Sequence, residues 1–324
     1  MSAHHLFRFF LGLGTVLLVA SGCSRSVEPV ATPEPAGMNM DSLVTAEWLK
    51  EQLAEPDLVV LDATVLVKAT DAGDIEVLNG RPSYEAGHIP GAAFADLMGE
   101  LSDSESPWEF AAPDPAAFAA AMGRLGVGND TRVVIYDNMN SAWAARVWWM
   151  LRWIGFDDAA LLDGGLQAWK DAGYPVSTEP ANPPARTLGV NLRPGLLAGR
   201  DEVRAAIDDE SVHLVDAMTE VHYRGDWAMY DRPGHITGAV NVPSTSLMDE
   251  TGRFRTREQL AALFSSDPEE RTITYCGGGI AASVDAFVLT RLGFTDVAVY
   301  DHSLQEWSAD PSNPMETATE FDEF

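Results

Sequence analysis

The sequence is short of cysteine, of lysine and of long apolar runs. Cys23 and Cys276 are its only cysteines in 324 residues, which excludes a disulfide scaffold. Lysine occurs only at Lys50, Lys68 and Lys170. The 21 Lys and Arg face 49 Asp and Glu, for a formal net charge of -28. Such a surface repels nucleic acid, so that partner class is set aside. The acidic balance speaks to solubility and not to chemistry. The apolar run from Phe9 to Ala20 falls short of the roughly 20 residues that a membrane span needs.

What is present begins with a hydrophobic content of 46% and a length that accommodates two ordinary domains. At the start, His4, His5 and Arg8 precede the apolar run, and Val19-Ala20-Ser21-Gly22-Cys23 follows it. A charged start, a short apolar stretch and small residues are the parts of a signal peptide. The ending resembles a bacterial lipoprotein signal, with Ala20 where leucine is commonest. Residues 1–22 are therefore expected as signal peptide and Cys23 as the lipidated residue. Residues 23–40, rich in Pro, Ala, Ser and Glu, are expected as a disordered tether. The expected location is the cell envelope after export, with membrane contact through the lipid anchor only. Cys276 is then the one free thiol of the mature chain, either a buried packing residue or a reactive group.

The chain repeats itself in order. Leu58-Val59-Val60-Leu61-Asp62-Ala63 returns as Val212-His213-Leu214-Val215-Asp216-Ala217. Gly87-His88-Ile89-Pro90-Gly91-Ala92 returns as Gly234-His235-Ile236-Thr237-Gly238-Ala239. Val133 to Asp137 matches Thr272 to Cys276, and Leu162 to Trp169 matches Tyr300 to Trp307. This is a duplicated domain, with the Pro-rich stretch 179–194 as linker. Short apolar runs predict buried strands at Leu58–Leu61, Val133–Tyr136 and Ala159–Leu162. In the second copy the same signal marks Leu214-Val215, Ile273–Tyr275 and Val297–Tyr300. Helices are predicted over Ala144–Ile154 and Ala281–Leu292, the latter capped by Gly293. The alternation implies an α/β fold whose mainly parallel sheets are covered on both faces.

The segment Tyr275-Cys276-Gly277-Gly278-Gly279-Ile280-Ala281-Ala282 joins a strand to a helix. Glycines let such a loop curl with its N–H groups inward, and the helix adds its positive end. The cradle suits an anion, here the Cys276 thiolate, whose pKa a helix N-terminus is expected to lower. A phosphatase would need a phosphate-gripping arginine where Ala282 stands. A cysteine hydrolase would need a histidine base, and the sequence points to none beside Cys276. Sulfur transfer needs only the thiolate and the nest of N–H groups. His88 and His235 recur in both copies, which argues for a structural hydrogen bond.

With Tyr84 to Ala92, Leu162-Asp163-Gly164-Gly165-Leu166, the Cys276 loop and Tyr300-Asp301 to Trp307, residues 41 to 312 resemble the tandem-domain rhodanese family of thiosulfate and 3-mercaptopyruvate sulfurtransferases. The resemblance implies two tandem rhodanese-like domains. The N-terminal one, 41–178, is an inactive copy with Asp137 in the cysteine's place, and the C-terminal one, 195–312, is catalytic, leaving 313–324 as an acidic tail. It implies Cys276 as nucleophile, with Gly277, Gly278, Gly279, Ile280 and Ala281 around the substrate. It also implies a persulfide relay from a small anionic sulfur donor to a thiophilic acceptor such as cyanide or a thiol, and no cofactor or metal; a monomer is expected. The chain departs from the family at Gly277-Gly278, where members carry basic residues or Gly-Ser. It departs again at His222, where members carry an arginine for the donor's anionic end, leaving Arg224 or Arg232 as the expected replacement. Trp307 is expected in the core. The rival function is a lipid-tethered rhodanese-like module that binds or senses a sulfur species without turnover.

Overall fold

The computed structural model describes residues 40–69 and 75–317. The expected signal peptide, Cys23, nearly all of the tether and residues 318–324 lie outside these.

The N-terminal half contains strands β1 (Leu43–Val44), β2 (Leu58–Asp62), β3 (Val65–Ala69), β4 (Ile75–Asn79), β5 (Ala93–Phe94), β6 (Arg132–Tyr136) and β7 (Ala159–Leu162). Its helices are α1 (Ala46–Gln52), α2 (Arg81–Ala86), α3 (Pro115–Arg124), α4 (Ala142–Trp153) and α5 (Gly165–Asp171). The C-terminal half contains β8 (Leu197–Ala198), β9 (Val212–Asp216), β10 (His235–Ile236), β11 (Val240–Asn241), β12 (Arg271–Tyr275), β13 (Val297–Tyr300) and β14 (Met315–Glu316). Its helices are α6 (Arg200–Ala206), α7 (Glu220–Arg224), α8 (Arg257–Ala261), α9 (Ile280–Leu292) and α10 (Ser303–Ala309).

The duplication is exact at the level of topology. The first sheet runs β1-β7-β6-β2-β5 and the second β8-β13-β12-β9-β11, all pairs parallel. The central strands Arg132-Val133-Val134-Ile135-Tyr136 and Arg271-Thr272-Ile273-Thr274-Tyr275 are β-branched and aromatic, which suits a pleated, fully buried surface. Each predicted strand lies within an observed one, and both predicted helices match α4 and α9 to within two residues at either end.

Helices α4 and α9 are buried nearly all round because each is covered by its own sheet and by the other helix. Their side chains belong to one apolar core shared by the two halves. Trp148 meets Phe287 edge to face at 4.8 Å, a favoured aromatic geometry. Two equivalent aspartates cross between the halves. Asp163 accepts from Phe254 N at 2.9 Å and Asp301 from Ala112 N at 2.9 Å. The guanidinium of Arg146, on α4 and fully buried, also pairs with Asp301 and donates to Phe110 O at 2.8 Å.

The second domain does not end at residue 312. Strand β14 pairs antiparallel with β10, Asn313 is buried, and Pro314 O accepts from Trp307 Nε1 at 3.0 Å. Residues 313–317 therefore finish the domain instead of opening a tail. The short Met315-Glu316 pairing carries no alternation long enough to read from sequence. Trp307 itself is fully buried, as expected.

Asp285, on α9, is buried, and its two carboxylate oxygens have no hydrogen-bond partner among the described residues. Burial, reinforced by the nearby Asp216, pushes its pKa well above the ordinary carboxylate range. The unfolded chain then releases this proton first, so stability falls as pH rises above the ordinary carboxylate pKa. Asp285→Asn is expected to raise the melting temperature at pH 8, with the gain shrinking as pH falls toward about 4. Thermal melts across that range check it, and a gain independent of pH would contradict the assignment.

Candidate active site

Cys276 follows the last residue of β12 and is 2% exposed. The N–H groups of Ala282, Gly278 and Gly279 face its sulfur. Gly279 sits at φ 77°, and a Cβ there would lie 2.7 Å from Asp301 O. Only glycine turns the chain into α9 at that point. The departures at Gly277 and Gly278 have a local cause. A Cβ on Gly277 would fall 1.9 Å from the Tyr230 hydroxyl, and one on Gly278 2.2 Å from Gln305 Nε2. Tyr230 and Gln305 occupy the room that larger residues would need.

The first copy displays what this loop is shaped to hold. Asp137 accepts from Met139 N, Ser141 N, Trp143 N and Ala144 N at 2.8 to 3.1 Å. Four inward N–H groups thus surround a carboxylate where the second copy has a thiol. Burial still pushes Asp137 up to about 6.

The same balance governs Cys276. Burial pushes its pKa above the ordinary thiol value, while the N–H groups of Ala282, Gly278 and Gly279 pull it down and Asp216 adds to the rise. The expected depression is therefore reversed. Helix-terminus N–H groups alone do not offset enclosure when, among the described residues, no Lys or Arg lines the cavity beside the sulfur.

Ser303 is the residue that sequence reasoning missed. It is fully buried, and its hydroxyl accepts from Cys276 N at 3.1 Å and Gly279 N at 3.2 Å while donating to Tyr300 O at 2.7 Å. It does so from φ 50°, a conformation costly for a residue with a Cβ. The first copy has Gly165 at the matching place, with φ 56°. A serine replacing a glycine that needs positive φ was the available signal. Leu304 N and Gln305 N complete the brace by donating to Cys276 O and Gly277 O, each at 3.0 Å.

Above the thiol lies a cavity of about 410 Å³ between the halves. Cys276, Gly277, Gly278, Ile280 and Ala281 line it, whereas Gly279 is set back in the nest. Met229 and Tyr230 come from a segment that the first copy lacks. His88 lies four positions after Tyr84, and its counterpart His235 lies twelve after Tyr223. That lengthened spacing was legible, but its contribution to the site was not. The hairpin β3–β4 supplies Val67, Ile75 and Val77 from the other half.

His88 and His235 are structural. Their Nδ1 atoms bond Tyr84 O and Tyr223 O at 2.7 Å, and their rings stack on those tyrosines. His222 does reach the cavity. Its Nδ1 lies 2.6 Å from Thr219 Oγ1, and burial lowers its pKa.

Neither expected arginine is in the cavity lining. Arg224 pairs with Asp226 and Glu220 at 3.4 and 4.0 Å. Arg232 donates to four backbone oxygens, of Ser308, Asn313, Trp307 and Asp310, at 2.8 to 3.0 Å. Five guanidinium donors suit that carbonyl cluster as well as they suit an anion, so spacing could not separate the two uses. Arg232 is thus corrected from donor grip to structural tie. Arg232→Ala is expected to destabilise the protein by about 2 kcal/mol while leaving the donor's KM unchanged. Denaturant melts and initial rates check this, and a raised KM at unchanged stability would contradict it.

The Rhodanese-like domain model matches residues 45–172 and 199–310. The thiosulfate sulfurtransferase of Rattus norvegicus is 35% identical over 279 residues, covering 82% of this chain and 91% of that protein. Thiosulfate/3-mercaptopyruvate sulfurtransferase 2 of Arabidopsis thaliana is 31% identical, covering 89% of this chain and 88% of that one. Among solved structures, the 3-mercaptopyruvate sulfurtransferase SseA of Escherichia coli aligns with TM-score 0.73 at 31% identity, over 82% of this chain and 99% of SseA. Two matched domains, a shared parallel topology and these identities together place the chain in the rhodanese family, as a tandem-domain sulfurtransferase.

Proposed function

We propose that the enzyme moves a sulfane sulfur from thiosulfate or 3-mercaptopyruvate to cyanide or a thiol through a persulfide on Cys276. The observation that carries this is the cysteine itself, seated at the cavity floor in a nest whose twin holds a carboxylate. In the first half-reaction the Cys276 thiolate attacks the donor's outer sulfur, and the donor leaves with the electron pair of the broken bond. In the second, the acceptor attacks the outer sulfur of the persulfide and restores the thiolate. The N–H groups of Gly278 and Ala282 stabilise the sulfur anion in both. Ser303 keeps two loop N–H groups satisfied and so holds the nest in shape.

The Cys276→Ser variant is expected to lose thiocyanate formation from cyanide with either donor, by at least a thousandfold on the scale of losing a nucleophile. Activity equal to that of the parent enzyme would overturn the proposal.

We also infer an exported monomer held at the membrane by lipid on Cys23, a reading supported by Val19 to Cys23 in the sequence. Cys23→Ala is expected to move the protein from the membrane fraction to the soluble fraction of the expressing cell. Unchanged membrane retention would contradict it.

A further inference from the structure

Tyr230 is the side chain of the cavity that the persulfide mechanism leaves without a task. It lies in the lengthened segment between Tyr223 and His235, so it arises only in the copy that carries the thiol. The segment is firmly mounted. Two residues on, Arg232 donates to four backbone oxygens, and the Tyr230 ring packs against the second-domain core that includes Tyr275 and Leu304. The phenol end reaches the cavity floor. A Cβ on Gly277 would lie 1.9 Å from the Tyr230 hydroxyl oxygen and 2.7 Å from Cζ, so the hydroxyl rests on the residue that follows Cys276. Tyr230, Gly277 and Cys276 all line the cavity.

The hydroxyl is uncommitted. It has no hydrogen-bond partner among the described residues, the thiol included. Burial, then the charge of Cys276, then that of Glu109 raise the phenol's pKa well above its ordinary value. The oxygen therefore keeps its proton in the neutral range and remains a donor. A group close enough to feel the thiolate, but not bonded to it, leaves room between them for a further atom. Other polar side chains share the lining. Gln305 accepts from Glu109 N, and Thr219 pairs with His222 Nδ1. Asn140, Ser244 and Thr245 line the cavity too, but none is among the atoms nearest Gly277, Gly278 or Gly279. The loop itself, Gly277 to Ala282, has no side-chain hydroxyl and no cation.

We propose that the Tyr230 hydroxyl donates a hydrogen bond to the outer sulfur of the Cys276 persulfide and holds that atom during transfer. This rests on the sulfur-transfer reading above and adds to it the residue that meets the transferred sulfur. Gly278 and Ala282 keep the inner sulfur, while Tyr230 meets the outer one. In the discharge step an electron pair of the acceptor, cyanide or a thiolate, forms a bond to the outer sulfur. The S–S bond breaks and its pair stays on Cys276 as thiolate. The proton stays on Tyr230 throughout. A second anion arriving at an anionic persulfide raises the negative charge around the outer sulfur. The hydrogen bond is then stronger during attack than before it, and so speeds the step.

The test loads the parent enzyme and Tyr230→Phe with thiosulfate, confirms the added sulfur by intact mass, and follows single-turnover discharge by cyanide. Phenylalanine keeps the ring, so the variant is expected to load to the same extent. It is expected to discharge roughly tenfold to a hundredfold more slowly, the scale of a hydrogen bond to a charged group. Alkylation of the unloaded thiol by iodoacetamide is followed against pH in both proteins. The two profiles are expected to agree, because the hydroxyl bonds the outer sulfur and not the thiol itself. Tyr230→Leu serves in the same two reactions if the first variant does not fold.

Discharge at the parent's rate overturns the proposal. So does an equal loss in discharge and in alkylation, which marks a displaced loop. A parent enzyme that takes up no sulfur defeats the sulfur-transfer reading, and this proposal with it, so the two failures are told apart at the loading step.

Discussion

The site depends on one constraint: a parallel strand must turn into a helix within a few residues while its N–H groups converge on a single point. In the first copy Asp137 fills that point with a carboxylate and four hydrogen bonds. In the second, Cys276 fills it with its thiol, and a cavity is left above. The same local geometry therefore serves once as a structural cap and once as a sulfur seat. The helix termini contribute in both, because their first N–H groups have no partner within the helix.

The nest does not stand alone. Asp301 leaves the end of β13, ties to Ala112 and Arg146 of the other half, and places Ser303 under the loop. Gln305 reaches across as well, accepting from Glu109 N at 2.8 Å. The first copy thus supplies a wall of the cavity and an anchor for its floor. Fusing two copies, and covering α4 with α9, lets the Cys276 loop sit fully buried while a cavity remains open between the halves.

Much of the frame was legible because it rests on strong local signals. Short β-branched runs such as Val133 to Tyr136 mark central strands, and the ordered repeats mark the duplication. Cys276 stood out through its glycines and through Asp137 in the matching place. What could not be read depends on how distant segments meet. Arg232 has the chemistry of an anion grip, yet the fold turns it onto four carbonyls supplied by residues 307 to 313. The thiol's raised pKa likewise comes from enclosure by both halves, which no local motif encodes. Strand β14 escaped because a two-residue pairing is defined by its partner, β10, and not by its own pattern.

The central claim is that sulfur travels on Cys276. It is tested most directly by exposing the parent protein to a sulfur donor, digesting it without reductant and locating any added mass by fragmentation. The account predicts one extra sulfur atom on the peptide containing Cys276, removed by cyanide. Turnover with no added sulfur on that residue, or sulfur carried elsewhere on the chain, would contradict it.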